Sequence, residues 1–291
     1  MLKKIFAVSD PRIEIGIGDD AAIVRGALHQ VVTTDMAVED VHFKTQWTSA
    51  FDIGRKITVA NLADIFAMNG KPEYLAVAIS LTGKEEISWI EDLARGIRFE
   101  ADKADTRIIG GDTVRGEKIT ISMTAIGSTD SAIGRDGAKI GDDIYLSSLT
   151  GWSAAGLALL SRGKADLNKR AVAEFSAPTF DYGFNTSRAT SLCDISDSII
   201  TQSLQVAKAS GVCFSFHSEL FTKSEEFTEL ANLAAQLEID IWQWIFAGGE
   251  DHVLMATGKD LSGLKVGQVL EGDGVMGLEM KKAPDTWRHF N

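Results

Sequence analysis

The residues in this chain that could do chemistry are mostly carboxylates set in short turns beside glycine. Gly16-Ile17-Gly18-Asp19-Asp20-Ala21-Ala22 opens the series, followed by Thr33-Thr34-Asp35 and then Val41-His42-Phe43. Further acids recur at Asp64, Gly110-Gly111-Asp112, Asp194-Ile195-Ser196-Asp197 and Gly248-Gly249-Glu250-Asp251. Carboxylates held close together repel unless cations neutralise them, and hard oxygen ligands of this kind suit Mg²⁺. The later turns are expected to converge on the first.

Each motif also has a plainer reading. Gly16 to Ala21 fits the G-x-G-x-x-A form of a dinucleotide fingerprint, but a pyrophosphate there would meet two carboxylates, and no long helix opens after Ala22. Gly141-Asp142-Asp143, beside Lys139, reads as a solvated turn. Thr33-Thr34-Asp35, at a strand end, serves equally as a dense set of oxygen ligands or as a turn whose hydroxyls cap backbone amides. His42 follows Asp35 by seven residues, within reach of a polar or anionic substrate group, although a structural histidine is the commoner case. Asp64 lies in an almost wholly apolar helical stretch, where a bare carboxylate would cost several kcal/mol, so a cation, a partner or water must attend it. Gly110-Gly111-Asp112-Thr113 reads as a tight turn whose bare backbone can approach a phosphate. Asp194 to Asp197 can cap the helix that follows, and a helix N-terminus among acids also suits a metal-bound phosphate. No P-loop, protein-kinase signature or G-x-S-x-G elbow occurs, which leaves metal-assisted handling of phosphates.

Alternating strands and helices must position these residues. The spacing of Ile53, Ile57, Ala60, Ala63 and Ala67 predicts a helix over residues 50–69, stopped by Gly70-Lys71-Pro72. Strands are expected at 22–24, 30–32, 74–81, 107–109, 119–126, 144–148, 212–216, 239–246 and 252–257. Helices are expected at 85–104, 153–160, 171–175, 196–209 and 224–237. The pattern is α/β, with α+β layers in both halves, and the glycine-rich, charged stretch 134–141 marks a domain boundary. The predicted domains are residues 1–136 and 137–291.

At 291 residues, 45% of them apolar, two domains are the natural expectation. A formal charge of −12 and the lack of a Lys/Arg run exclude a nucleic-acid or anionic-membrane partner, while divalent ions would still let a phosphorylated substrate bind. Cys193 and Cys213 are too few for a disulfide framework and lack zinc spacing. With no signal-peptide pattern and no run of 18 apolar residues, a cytoplasmic location is expected.

In this order the motifs resemble the thiamine-monophosphate kinase family, within the superfamily that includes aminoimidazole ribonucleotide synthetase and selenophosphate synthetase. Asn61-Leu62-Ala63-Asp64, Gly110 to Gly116, Gly134-Arg135-Asp136-Gly137-Ala138-Lys139 and Ser153-Ala154-Ala155-Gly156-Leu157 carry the resemblance together with the acidic turns. It implies a two-domain aminoimidazole ribonucleotide synthetase-like fold whose N-terminal sheets pair across a homodimer. Residues 1–136 would form the ATP/Mg-binding and dimerisation domain. The implied activity is direct transfer of the γ-phosphoryl of ATP to thiamine monophosphate, with several Mg²⁺ per site. By motif, Asp20, Thr33, Thr34, Asp35, Asp64, Asp112, Asp194 and Asp197 would bind metal. Gly111, Asp112, Arg135 and Ser196 would contact ATP, and His42, Glu250 and Trp287 would contact the acceptor. Ser198 stands where the family usually has glycine, Trp152 where it has aspartate, and His252-Val253 where it favours Tyr-Glu. The alternatives are a selenophosphate or aminoimidazole ribonucleotide type of synthetase, or a non-catalytic nucleotide-binding regulator.

Overall fold

The computed structural model describes residues 10–15, 23–26, 29–278 and 280. They fall into two units. The first holds the described residues up to Phe66 together with Gly70–Ala132, and the second holds Ala67–Asn69 and the described residues from Ile133 onward.

In the first unit a short antiparallel pair, β1 (Ile13–Ile15) and β2 (Ile23–Val24), precedes β3 (Gln30–Val38). Helix α1 (Ala50–Phe66), β4 (Lys71–Leu81), α2 (Ile87–Lys103), β5 (Arg107–Arg115) and β6 (Thr120–Ser128) follow. The sheet runs β3-β6-β4-β5, with β4 and β5 parallel and joined by α2, and the other pairs antiparallel. Parallel neighbours need such a crossover, which is why a helix must intervene between them. Alternation sorts the side chains: Leu75, Ile79, Ile121, Met123 and Ala125 are buried, as are Ile53, Ile57 and Leu62 of α1 and Leu93 and Ile97 of α2. The opposite face of the sheet leaves Val32, Met36 and Val114 more than half exposed, at 61%, 57% and 54%.

The second unit runs β7 (Asp143–Leu146), α3 (Trp152–Ser161), α4 (Lys169–Ser176), β8 (Ala189–Ile195), α5 (Ile199–Ser210) and β9 (Cys213–Phe216). It continues with α6 (Ser218–Phe221), α7 (Phe227–Gln236), α8 (Ile241–Ala247), β10 (Val253–Gly258), β11 (Leu264–Leu270) and β12 (Gly274–Met276). Its sheet has the order β12-β9-β11-β7-β10-β8, antiparallel except for β12 against β9. Ile144, Leu146, Ile195, Phe214, Phe246 and Val266 centre its core. No helix among the described residues is long and apolar enough to cross a membrane.

Four local expectations are corrected. Residues 239–246 are mostly helix α8 rather than strand, because Asp240 accepts a hydrogen bond from the Trp242 amide and starts a helical turn. Asp142 and Asp143 are buried, not solvated: Asp143 pairs with Lys265 at 2.8 Å and Lys259 at 3.3 Å, and Asp142 accepts from the Lys139 amide at 2.9 Å. Thr33-Thr34-Asp35 lies inside β3, which continues to Val38. Gly110-Gly111-Asp112 lies inside β5, where a register shift opposite Leu75 and Ala76 leaves Ile109 as an extra residue.

Candidate active site

Strand periodicity divides the β3 acids and hydroxyls between two faces. Thr33 and Asp35 share the face of buried Met123 and Ala125, whereas Thr34 lies on the exposed face. From α1, Asp64 accepts a hydrogen bond from the Thr33 hydroxyl at 2.6 Å. One turn earlier, fully buried Asn61 accepts from the Asp35 amide at 3.3 Å and donates to the Ile57 carbonyl at 2.9 Å. Because β3 is an edge strand, Asn61 also takes up a backbone donor that the ladder does not use. Thr33, Asp35, Asn61 and Asp64 thus form one oxygen-rich seam between strand and helix.

Asp112 does not join that seam. The cross-strand rows run Asp35–Met123–Val77–Gly111 and Met36–Ser122–Ala78–Asp112, so Asp112 belongs to the uncovered face. It is exposed and, among the described residues, its carboxylate accepts from the amide of its neighbour Thr113 at 2.8 Å. Gly111 has φ +157°, and a Cβ there would meet the Val77 carbonyl oxygen at 1.9 Å, so this position tolerates only glycine. Thr34 turns away from the seam too, its hydroxyl donating to the Met123 carbonyl at 3.0 Å. In the turn after β3, His42 accepts the Val38 amide at Nδ1 (3.0 Å), so its proton sits on Nε2 and that N–H is the ring's remaining donor.

In the second unit two acidic loops, 194–197 and 248–251, lie against each other although 54 residues separate them in sequence. The Glu250 amide donates to the Ser196 carbonyl at 2.5 Å and the His252 amide to the Ile195 carbonyl at 2.9 Å. Gly249 permits this approach, since a Cβ there would lie 2.6 Å from the Asp197 carbonyl oxygen. Asp194 is 3% exposed, is the penultimate residue of β8, and has its carboxylate 3.6 Å from Nδ1 of His252. The expected cap of α5 by the Asp194–Asp197 turn is corrected: Ser198 is the cap, accepting from the Thr201 amide at 3.1 Å. Gln202 holds the turn from inside the helix, accepting from the Ser198 amide at 3.0 Å and donating to the Ser196 hydroxyl at 3.4 Å. Arg135 is exposed and its side chain reaches the thiol of Cys193, next in sequence to Asp194. Burial pushes that thiol up to about 12, so Cys193 is no nucleophile.

Asp251, to which the sequence motifs assign no role, is the buried acid that joins this loop to α3. Its two oxygens accept from the Gly151 amide at 2.8 Å and the Ser153 amide at 3.0 Å, 100 and 98 residues away. It therefore caps α3, whose own start, Gly151-Trp152, supplies no capping side chain. That missing cap was the signal in the sequence. Burial raises the Asp251 carboxyl to about 6, although the Ser153 and Gly151 amides pull the other way. Two assigned residues, Asp20 and Trp287, lie outside the described residues.

Among the described residues no group of three or more His, Cys, Asp or Glu side chains could hold a metal ion unaided. Mg²⁺ does not require one. It keeps several waters and commonly takes one or two carboxylates, with substrate phosphates completing the shell. The seam of Thr33, Asp35 and Asp64 offers oxygen donors only, which fits that ion and not a thiophilic one.

Residues 18–129 match the family described as AIR synthase related protein, N-terminal domain. A thiamine-monophosphate kinase from Corynebacterium glutamicum is 34% identical, covering 94% of this chain and 88% of the relative. Two solved structures are similar throughout. Thiamine-monophosphate kinase from Stenotrophomonas maltophilia K279a has a TM-score of 0.79 at 30% identity, covering 91% of this chain and 90% of that one. AaThiL complexed with AMPPCP and TMP has a TM-score of 0.81 at 29% identity, covering 94% and 92%. With the acidic motifs in their expected order and nearly full-length likeness in sequence and fold, the chain belongs to the thiamine-monophosphate kinase family.

Proposed function

We propose that this chain transfers the γ-phosphoryl group of ATP to thiamine monophosphate, giving thiamine diphosphate and ADP. The observation that carries the proposal is the likeness, over nearly the whole chain, to AaThiL complexed with AMPPCP and TMP. A phosphate oxygen of the acceptor bonds to the γ-phosphorus as the bond from that phosphorus to the β–γ bridging oxygen breaks. The acceptor oxygen is already ionised at neutral pH, so the site needs no general base. Positioning and charge neutralisation then carry the reaction.

Asp20, Thr33, Thr34, Asp35, Asp64, Asp112, Asp194 and Asp197 would hold several Mg²⁺ ions. When bound, Mg²⁺ neutralises phosphate charge and polarises the transferring group. Gly111, Asp112, Arg135 and Ser196 contact ATP; Arg135 is exposed, and its guanidinium offers a planar set of donors to phosphate oxygens. His42 donates from Nε2, and Glu250 and Trp287 complete the acceptor contacts. Residues 1–136 carry ATP/Mg binding and dimerisation, and residues 137–291 form the C-terminal α/β domain. The uncovered sheet face bearing Val32, Met36 and Val114 supports pairing with a second copy. A cytoplasmic location accords with two free, buried cysteines. The test is incubation with MgATP and thiamine monophosphate, with the product identified by mass and by its phosphorus spectrum.

A further inference from the structure

We propose that Asp251 is a positioning residue for acceptor binding, locking Glu250 in place by tying the loop 248–252 to the N-terminus of α3. The proposal rests on the reading of Glu250 as an acceptor contact. Glu250 and His252 both have positive φ, 66° and 52°, an uncommon conformation for non-glycine residues that the surroundings must enforce. The enforcement comes from two sides. On one side, the Glu250 and His252 amides bind the Ser196 and Ile195 carbonyls. On the other, the Asp251 carboxylate, between them in sequence, spans the Gly151 and Ser153 amides.

The backbone of the loop also rests on the same helix, since a Cβ at Gly248 would come within 2.8 Å of the Ala154 side chain. Asp251 is 6% exposed and Ser153 is 2% exposed, so bulk water does not compete for these amides while the carboxylate is in place. A three-residue segment pinned at alternate residues to opposite supports has little freedom. Removing the middle pin leaves the strained conformations at Glu250 and His252 held from one side only. Asp251 does not touch the acceptor in this account; it acts through Glu250.

The test uses the full-length protein with the variants Asp251→Ala, Asp251→Asn and Glu250→Gln, and the double variant Asp251→Ala/Glu250→Gln. Steady-state kinetics for thiamine monophosphate and for ATP are combined with calorimetric binding of thiamine monophosphate and with circular dichroism. Asp251→Ala should raise KM and the dissociation constant for thiamine monophosphate by about tenfold or more, the effect expected of a small misplacement. The KM for ATP should stay within about twofold, the pattern of a loss confined to one substrate. Asp251→Asn keeps an acceptor oxygen for one amide and should recover part of the loss. In the double variant the effects should not add, because both changes remove the same contact.

Unchanged acceptor affinity in Asp251→Ala, or in Asp251→Asn should the alanine variant fail to fold, would overturn the proposal and leave Asp251 a structural cap. Additive losses would overturn it as well. If Glu250→Gln alone leaves acceptor affinity unchanged, the underlying assignment of Glu250 is wrong, a failure told apart from that of Asp251 by the single variant.

Discussion

Thr33 on an edge strand gives its hydroxyl hydrogen to Asp64 on the neighbouring helix across 2.6 Å, and this one bond orients a carboxylate that the sequence alone leaves stranded among apolar residues. The hydrogen bond answers why Asp64 is tolerated in α1: it is half-buried and has a donor, so its charge is not bare.

Thr33→Val preserves the shape of the side chain and removes that donor. The concentration of Mg²⁺ for half-maximal activity should rise about tenfold to a hundredfold, as for loss of a partner that orients a metal ligand. Titrating Mg²⁺ at saturating ATP checks it, and an unchanged titration would remove Thr33 and Asp64 from the metal site.

Asp112 is exposed and its carboxylate bonds locally, to the Thr113 amide, so its loss separates function from folding. Asp112→Ala should change stability by no more than about 0.5 kcal/mol, as surface changes do. Turnover should fall by about a hundredfold or more if its charge acts on the transferring phosphoryl group. A variant with wild-type turnover would show that the carboxylate on the open sheet face takes no part.

Ser198 offers a test of how this chain departs from its relatives. Because its hydroxyl caps α5, Ser198→Ala should cost about 1 kcal/mol in urea unfolding, while Ser198→Gly, the residue usual in the family, should cost only a few tenths. Equal losses for the two variants would mean that the hydroxyl does not cap the helix.

Asp251 sets a pH dependence whose sign is opposite to that of a salt-bridged acid. Its carboxyl is raised from 3.8 to about 6, mainly by burial, so the folded protein holds a proton there that the unfolded chain has released. Its contribution to stability is present below 3.8 and is lost as pH rises through about 6. The stability of the wild type minus that of Asp251→Asn should therefore fall over this interval and then level off. A difference that is flat, or that rises with pH, would contradict the burial of this carboxyl.

How far the sequence discloses these relationships depends on whether the governing contact is local. The helix bearing Asn61 and Asp64 is legible from the spacing of Ile53, Ile57 and Ala63, because burial of one face repeats with the helical period. The extension of β3 through Thr33-Thr34-Asp35 is not, since threonine serves turns and pleated strands alike and only the pairing with β6 decides. Gly110-Gly111 carries the signature of a turn, yet both lie within β5, and at Gly111 glycine is required by the close approach of the Val77 carbonyl, 34 residues away in sequence. Residues 239–246 form a short apolar run with no decisive period, and the Asp240 cap settles it as helix. The cap of α3 by Asp251 joins positions about a hundred residues apart, and only the lack of a local cap at Gly151 hints at it.

The central claim is tested most directly by ADP release from MgATP, measured with thiamine monophosphate, with thiamine, with an aminoimidazole precursor and with no acceptor. ADP should appear only with thiamine monophosphate, mole for mole with thiamine diphosphate. ADP released equally without acceptor, or Mg²⁺-dependent nucleotide binding with no ADP formed under any condition, would contradict it.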